Sequence, residues 1–223
     1  MAEDFWANVE STGGGRSGYA RNGRLQPIAD GHALVLAQRR ADTARALWQQ
    51  NATWEIVPAT DTPWEPASPS GWIIRDSLSG LIHPKGACMA LVQALAVKGV
   101  RVDAEGPDLG QVLWATGVAG LLDMTANHSR AVGNGVKGQA ALLAYDARGL
   151  PQLFAGGVHV IPHGDGTVAV GSTSERDYTS PNLTDTQLDD VISAARSAVP
   201  ALDDAPVIAR WAGVRPRSRS RAP

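Results

Sequence analysis

The sequence predicts a mixed α/β (α+β) fold: an antiparallel sheet with flanking helices, and one α/β piece set into its middle. Three observations carry this. Apolar residues recur at helical spacing over 34–48 and again over 188–199. Val158–Ile161 and Thr167–Val170 flank His163-Gly164-Asp165-Gly166, a hairpin signal. His83-Pro84 opens an apolar helix, and the run Val112-Leu113-Trp114-Ala115 stops at Thr116-Gly117, like a buried strand delivered to a glycine turn.

From the N-terminus, Phe5, Trp6 and Val9 make a short amphipathic helix that ends in Gly13-Gly14-Gly15. Residues 19–29 read as a strand or hairpin arm, and Asp30 caps a helix carrying Leu34, Ala37, Ala41, Ala44 and Trp48. Between 51 and 71, Pro58, Pro63, Pro66 and Pro69 break regular structure, so a long surface excursion is expected, pinned by Trp54, Trp64 and Trp72. Trp72–Ile74 is a short strand. Ala87–Val97 is apolar except for Gln93, so its helix is expected to be buried nearly all round, with Gly99 closing it and Val100-Arg101-Val102 following as a strand. Val136–Tyr145 is a further strand. Thr184 with Gln187 three residues on forms a capping box ahead of Leu188, Val191, Ile192, Ala195 and Val199, and Pro200 stops that helix.

The 223 residues suffice for one large domain or two small ones with a real core. A hydrophobic share of 43% against 19% charged residues excludes a disordered chain. A net charge of −2 excludes a generally polybasic binder of nucleic acid or membrane. The single cysteine, Cys88, excludes an internal disulfide or a multi-thiolate metal site, is expected to be plain helix packing, and fits a reducing, cytoplasmic compartment. Two acids open the chain where a signal peptide carries bases, and no apolar run is long enough to span a membrane. Four arginines, Arg215, Arg217, Arg219 and Arg221, fall in the last nine positions. They read as a loop lacking its native neighbours in preference to a nonspecific phosphate binder.

Gly133-Asn134-Gly135-Val136-Lys137-Gly138 spells G-x-G-x-x-G, but polar residues precede it, a strand follows it and no acid stands at 150–160 to hold a ribose. It reads as a tight strand entry. His159, His163 and His83 raise the question of a metal site, but His163 falls in the hairpin turn and no Asp or Glu lies within five residues of His159, so no metal is expected. His159 interrupts an apolar strand, which leaves two readings open: a satisfied core histidine, or a ligand contact where a cavity opens. Neither a Ser/His/Asp spacing nor a G-x-S-x-G elbow is present.

Five stretches in register resemble the D-amino-acid oxidase (DAO) superfamily of FAD-dependent oxidoreductases, nearest its glycine oxidase and sarcosine oxidase branch. They are Ser79–Pro84, Val112–Gly117, Val136–Gln139, Val160–Pro162 with Gly164–Thr173, and Arg210–Pro216. The resemblance implies a DAO-type substrate domain plus a remnant of the FAD-binding α/β domain. Its expected layout is a substrate-domain part over 1–78, the FAD-domain remnant over 79–120, the antiparallel sheet and helix over 121–208, and a re-entry toward the FAD domain over 209–223. Relatives begin with a strand and glycine-rich turn that hold the FAD pyrophosphate, and end in a segment covering the flavin. This chain is therefore expected to resemble an internal piece, to bind FAD weakly or not at all by itself, and to be inactive alone.

The activity implied is oxidation of the C–N bond of a small amine or amino acid by hydride transfer to FAD, with Arg215 gripping the substrate carboxylate. His159 falls where relatives place a tyrosine as second carboxylate donor. Ala115, Thr116 and Gly117 match the turn that packs beside the FAD, and Lys137 lies near a strand lining the cavity. Two alternatives stand beside this: the oxidase domain of a tRNA-modifying enzyme, and a non-catalytic binding or assembly subunit whose flavin half lies on another chain. The partner expected is a small amine or amino acid, with no membrane, no nucleic acid, and a homo-oligomer left open.

Overall fold

The computed structural model describes residues 2–60 and 62–219. Eight strands form one sheet in the order β2-β3-β1-β5-β6-β7-β4-β8. They are β1 (Arg24–Pro27), β2 (Trp54–Pro58), β3 (Trp72–Asp76), β4 (Gly133–Ala144), β5 (Gln152–Ala155), β6 (Val158–Pro162), β7 (Thr167–Gly171) and β8 (Val207–Ser218). The helices are α1 (Ala2–Gly13), α2 (Gly31–Trp48), α3 (Pro84–Val97), α4 (Gly117–Ala126) and α5 (Gln187–Ala198), with a 3-10 turn at Pro200–Leu202. All neighbouring strands run antiparallel except β1 and β5, whose pairing of Arg24 with Gln152 is parallel.

Period-two alternation sends Leu153, Val158, Val160, Val168, Val170, Ala141 and Leu143 to one face, where Leu188, Val191, Ile192 and Ala195 of α5 cover them. This is the main core. Leu143, Leu153, Val160, Val168 and Leu188 are all fully buried, and each such side chain contributes about 1.5–3 kcal/mol. At the β2-β3-β1 end α2 packs on the opposite face through Ala37 against Ile28 and Ile74. Its start is fixed by Asp30, whose Oδ1 accepts the Ala33 N–H at 2.8 Å. α1 and α3 form a separate pair through Val9, Ala90 and Ala94. Gly13 permits their contact, since a Cβ there would fall 2.5 Å from the Ala94 backbone nitrogen.

Several expectations need correction. The 51–71 excursion contains β2, because Trp54–Pro58 pairs residue for residue with Asp76–Trp72, and only the remainder is irregular. α3 buries only Ala87, Ala90 and Ala94; Met89, Val92 and Leu95 face outward, and Cys88 is exposed instead of packed. Val100–Val102 and Val112–Ala115 form no strand: a strand needs ladder partners, and among the described residues none pairs with them, leaving Leu113 90% exposed. The expected capping box does not form. Thr186 is the N-cap and makes no side-chain cap bond, while the Asp185 carboxylate accepts the Gln187 N–H at 3.0 Å. The arginine-rich ending is β8 as far as Ser218, held along β4 from Gly133 to Leu143; Arg221 lies outside the described residues.

A candidate substrate-binding face

The face of β5-β6-β7-β4-β8 opposite α5 carries one continuous row of side chains. Phe154 pairs with His159, His159 with Gly171, Gly171 with Ala140, and Ala140 with Trp211. Two residues further along β8, Gly213 faces Gly138, and two further still Arg215 faces Val136. Residues 211, 213 and 215 thus share the face that β8 turns away from α5. Arg210 confirms the orientation from the other side, where its Nη2 meets Asp189 of α5 at 2.6 Å. Phe154, His159, Trp211 and Arg215 are exposed on this face, and the floor between them is made of the small residues Gly171, Ala140, Gly138 and Gly213.

The structure brings Arg215 and His159 to one face, with β7 and β4 between them, and no hydrogen bond joins the two. Arg215 donates from Nη2 to the Thr173 carbonyl at 3.3 Å. His159 stacks obliquely on Phe154, ring centroids 4.7 Å apart. Partial burial, and after it the charge of Arg24, hold the His159 imidazole below its ordinary pKa of 6.5, so at neutral pH the ring is uncharged. Of the two readings of His159, the satisfied core histidine is excluded by its exposure.

Lys137, placed near the cavity by sequence, points instead to the opposite face. It is 2% exposed, with Nζ 3.2 Å from Glu175 Oε2 and 3.6 Å from Asp185 Oδ2. Glu175 and Thr173 were missed from sequence. A lysine at an inward position of a strand was the available signal, because a buried ammonium demands a carboxylate. Above this cluster lies a cavity of about 840 Å³ bordered by Asn134, Tyr178 and Asp185.

Ala115, Thr116 and Gly117 lie exposed at the head of α4, with Gly117 in the left-handed region at φ 62° and Thr116 making no side-chain cap bond. The amides of the first turn of α4 therefore retain donor capacity for an oxygen-rich group such as part of an FAD. The run 133–138 offers no such cradle, since it lies inside β4 and pairs with β8 at every residue. Of these two stretches, only the α4 turn has amide donors to offer such a group. Among the described residues no group of three His, Cys, Asp or Glu side chains is arranged to hold a metal, and no helix is long and apolar enough to cross a membrane.

The face opposite α5 is thus an open sheet surface that bears an exposed guanidinium and is backed by a helix-covered core. The chain matches the family described as FAD dependent oxidoreductase (DAO) over residues 1–223, and it belongs to that family. It is 36% identical over 89 residues to a glycine oxidase of Pseudomonas aeruginosa, an alignment covering 40% of this chain and 24% of that enzyme. Its fold matches the glycine oxidase of Geobacillus kaustophilus with a TM-score of 0.81 at 17% identity, covering 100% of this chain and 66% of the other. An iminodiacetate oxidase from Chelativorans gives 0.78 at 17% identity, covering 100% of this chain and 67% of the other.

Proposed function

We propose that this chain forms the substrate-binding wall of an FAD-dependent oxidase or dehydrogenase acting on the C–N bond of a small amine or amino acid. The observation that carries the reading is Arg215: a guanidinium on the uncovered face that no carboxylate of the described residues neutralises. Its planar fork matches a carboxylate through two parallel charge-assisted N–H···O bonds, and its bond to Thr173 limits its swing. His159 adds a neutral imidazole, one nitrogen donating and the other accepting, further across the same face. Trp211 and Phe154 flank a floor of glycine and alanine and offer it apolar walls. Ala115, Thr116 and Gly117 would hold FAD oxygen atoms at the head of α4. Bound FAD supplies the hydride acceptor for C–N oxidation. Relatives named for glycine and iminodiacetate support a small amino-carboxylate as substrate.

The test is to prepare an FAD-loaded enzyme that contains this chain and follow anaerobic bleaching of its absorbance with glycine, sarcosine, iminodiacetate and a panel of small amines. Bleaching by a carboxylate-bearing amine, and not by the matching amine without carboxylate, is expected. Loaded protein that none of the panel reduces would end the proposal.

A further inference from the structure

We propose that Lys137, Gln139 and Glu175 form a buried positioning network that fixes the guanidinium of Arg215 through the Thr173 carbonyl. The role in catalysis rests on the reading of Arg215 given above; the mechanical link does not.

The chain leaves β7 at Gly171 but keeps its pairing with β4. Thr173 N–H donates to the Gln139 carbonyl at 3.3 Å, while Lys137 and Glu175 exchange both backbone bonds at 2.9 Å. Side chains then lock this stretch. Gln139 N–H donates to Thr173 Oγ1 at 2.9 Å, and the Thr173 hydroxyl donates to Glu175 Oε1. Gln139 Nε2 reaches the same carboxylate oxygen at 2.9 Å, and Lys137 Nζ takes the other at 3.2 Å. Gln139 also ties the network to the residues leading into α5, giving an N–H to Asp185 Oδ1 and accepting one from the Asp185 backbone, both at 2.8 Å. Every polar atom of the Gln139 side chain and both oxygens of Glu175 are thus directed.

That arrangement has an outlet. The Thr173 carbonyl stands beside Gly138, where a Cβ would lie 3.3 Å from it, and on to β8, where Arg215 Nη2 donates to it. Absence of a side chain at 138 keeps the carbonyl open to the arginine. Lys137, Gln139 and Glu175 are 2%, 0% and 8% exposed. Buried ionic groups of this kind add little stability over apolar residues of equal volume, but they fix one geometry. Here the geometry fixed is that of the carbonyl on which Arg215 rests.

Thr173→Val removes the hydroxyl while keeping the side-chain shape, and Thr173→Ser restores it. In this chain labelled with ¹⁵N-arginine, the Arg215 Nε resonance is identified by its loss in Arg215→Lys, and its order parameter is measured. We expect an ordered signal in the parent and in Thr173→Ser, and a fall below about 0.6 in Thr173→Val with the fold retained. In the FAD-loaded enzyme, Thr173→Val should raise KM for a small amino acid about tenfold with kcat within about twofold. An unchanged order parameter in Thr173→Val overturns the network whatever the kinetics. A lowered order parameter together with an unchanged KM in Arg215→Lys leaves the network standing and overturns the assignment of Arg215 to the carboxylate. Should Thr173→Val not fold, Thr173→Ala, which removes the same hydroxyl in a smaller side chain, is read in its place, with the same loss of order expected and an unchanged value again decisive against the network.

Discussion

The rings of His83 and His163 lie 4.4 Å apart, centroid to centroid, and join the first turn of α3 to the turn between β6 and β7. His83 is spent as the α3 N-cap, its Nδ1 accepting the Gly86 N–H at 3.1 Å, and its Nε2 lies 3.8 Å from Asp165. His163 is 5% exposed, with Nδ1 3.2 Å from the Thr167 hydroxyl. Burial, and then the neighbouring His83, hold the His163 imidazole below 6.5, against the smaller upward pull of Asp165.

The unfolded chain therefore binds this proton before the folded one does. Stability tied to His163 is complete above pH 6.5 and declines as pH falls from there through the folded value. Thermal midpoints at pH 7.5, 6.5 and 5.5 should fall in the parent more than in His163→Gln. Parallel curves would remove His163 from the acid response.

Lys137→Met should be among the most damaging single changes, because it strands the buried carboxylate of Glu175. Breaking one partner of a buried pair costs about 3–5 kcal/mol. Adding Glu175→Gln should recover most of that loss, since the amide still accepts from Gln139 and carries no charge. Urea unfolding of the parent, the single variant and the double variant measures both numbers. Burial alone pushes the Glu175 carboxyl up, but the bonds from Thr173, Gln139 and Lys137 outweigh it and hold it below 4.5. The benefit of the pair is therefore present above pH 4.5 and is lost as pH falls through the folded value.

Truncating the core and the outer face of α3 should give opposite results. Leu188 is fully buried in the cluster beneath the sheet, and Leu188→Ala should cost about 2–5 kcal/mol. Met89 is 53% exposed, and Met89→Ala should stay within about 0.5 kcal/mol. Denaturant titration distinguishes the two.

α2 and α5 were legible from their apolar spacing, α3 from its apolar run after His83-Pro84, and the β6-β7 hairpin from a turn that holds glycines at 164 and 166, whereas α4 was not read at all. β5 was hidden because Gln152–Ala155 is too short to show alternation. β8 was hidden because its arginines mimic a tail, although Arg210 and Arg215 belong to opposite faces of a strand. Val112–Ala115 misled in the other direction: an apolar run specifies burial only where a neighbouring strand exists to pair with it. At the site, His159 stood out in sequence as the polar break in an apolar strand, whereas Trp211 became legible only once β8 was seen as a strand, and Lys137, read near the cavity, points inward. Which acid answers Lys137 depends on how the chain turns after Gly171, and spacing does not reveal that.

Arg215→Lys tests the site directly. Lysine keeps the charge and reaches a similar distance, but it loses the planar fork that binds two carboxylate oxygens at once. Arg215 is exposed on β8 and makes its hydrogen bond to a backbone carbonyl, so the fold should not notice the change: the melting temperature should move by no more than about 2 °C, as for a surface substitution. In FAD-loaded enzyme, kcat/KM for a small amino acid should fall roughly tenfold or more, on the order of 1.4 kcal/mol. The fall should vanish for the corresponding amine without a carboxylate, because that substrate offers nothing for the fork to hold. Equal losses on both substrates would assign Arg215 a structural part, and no loss on either would place it outside the site.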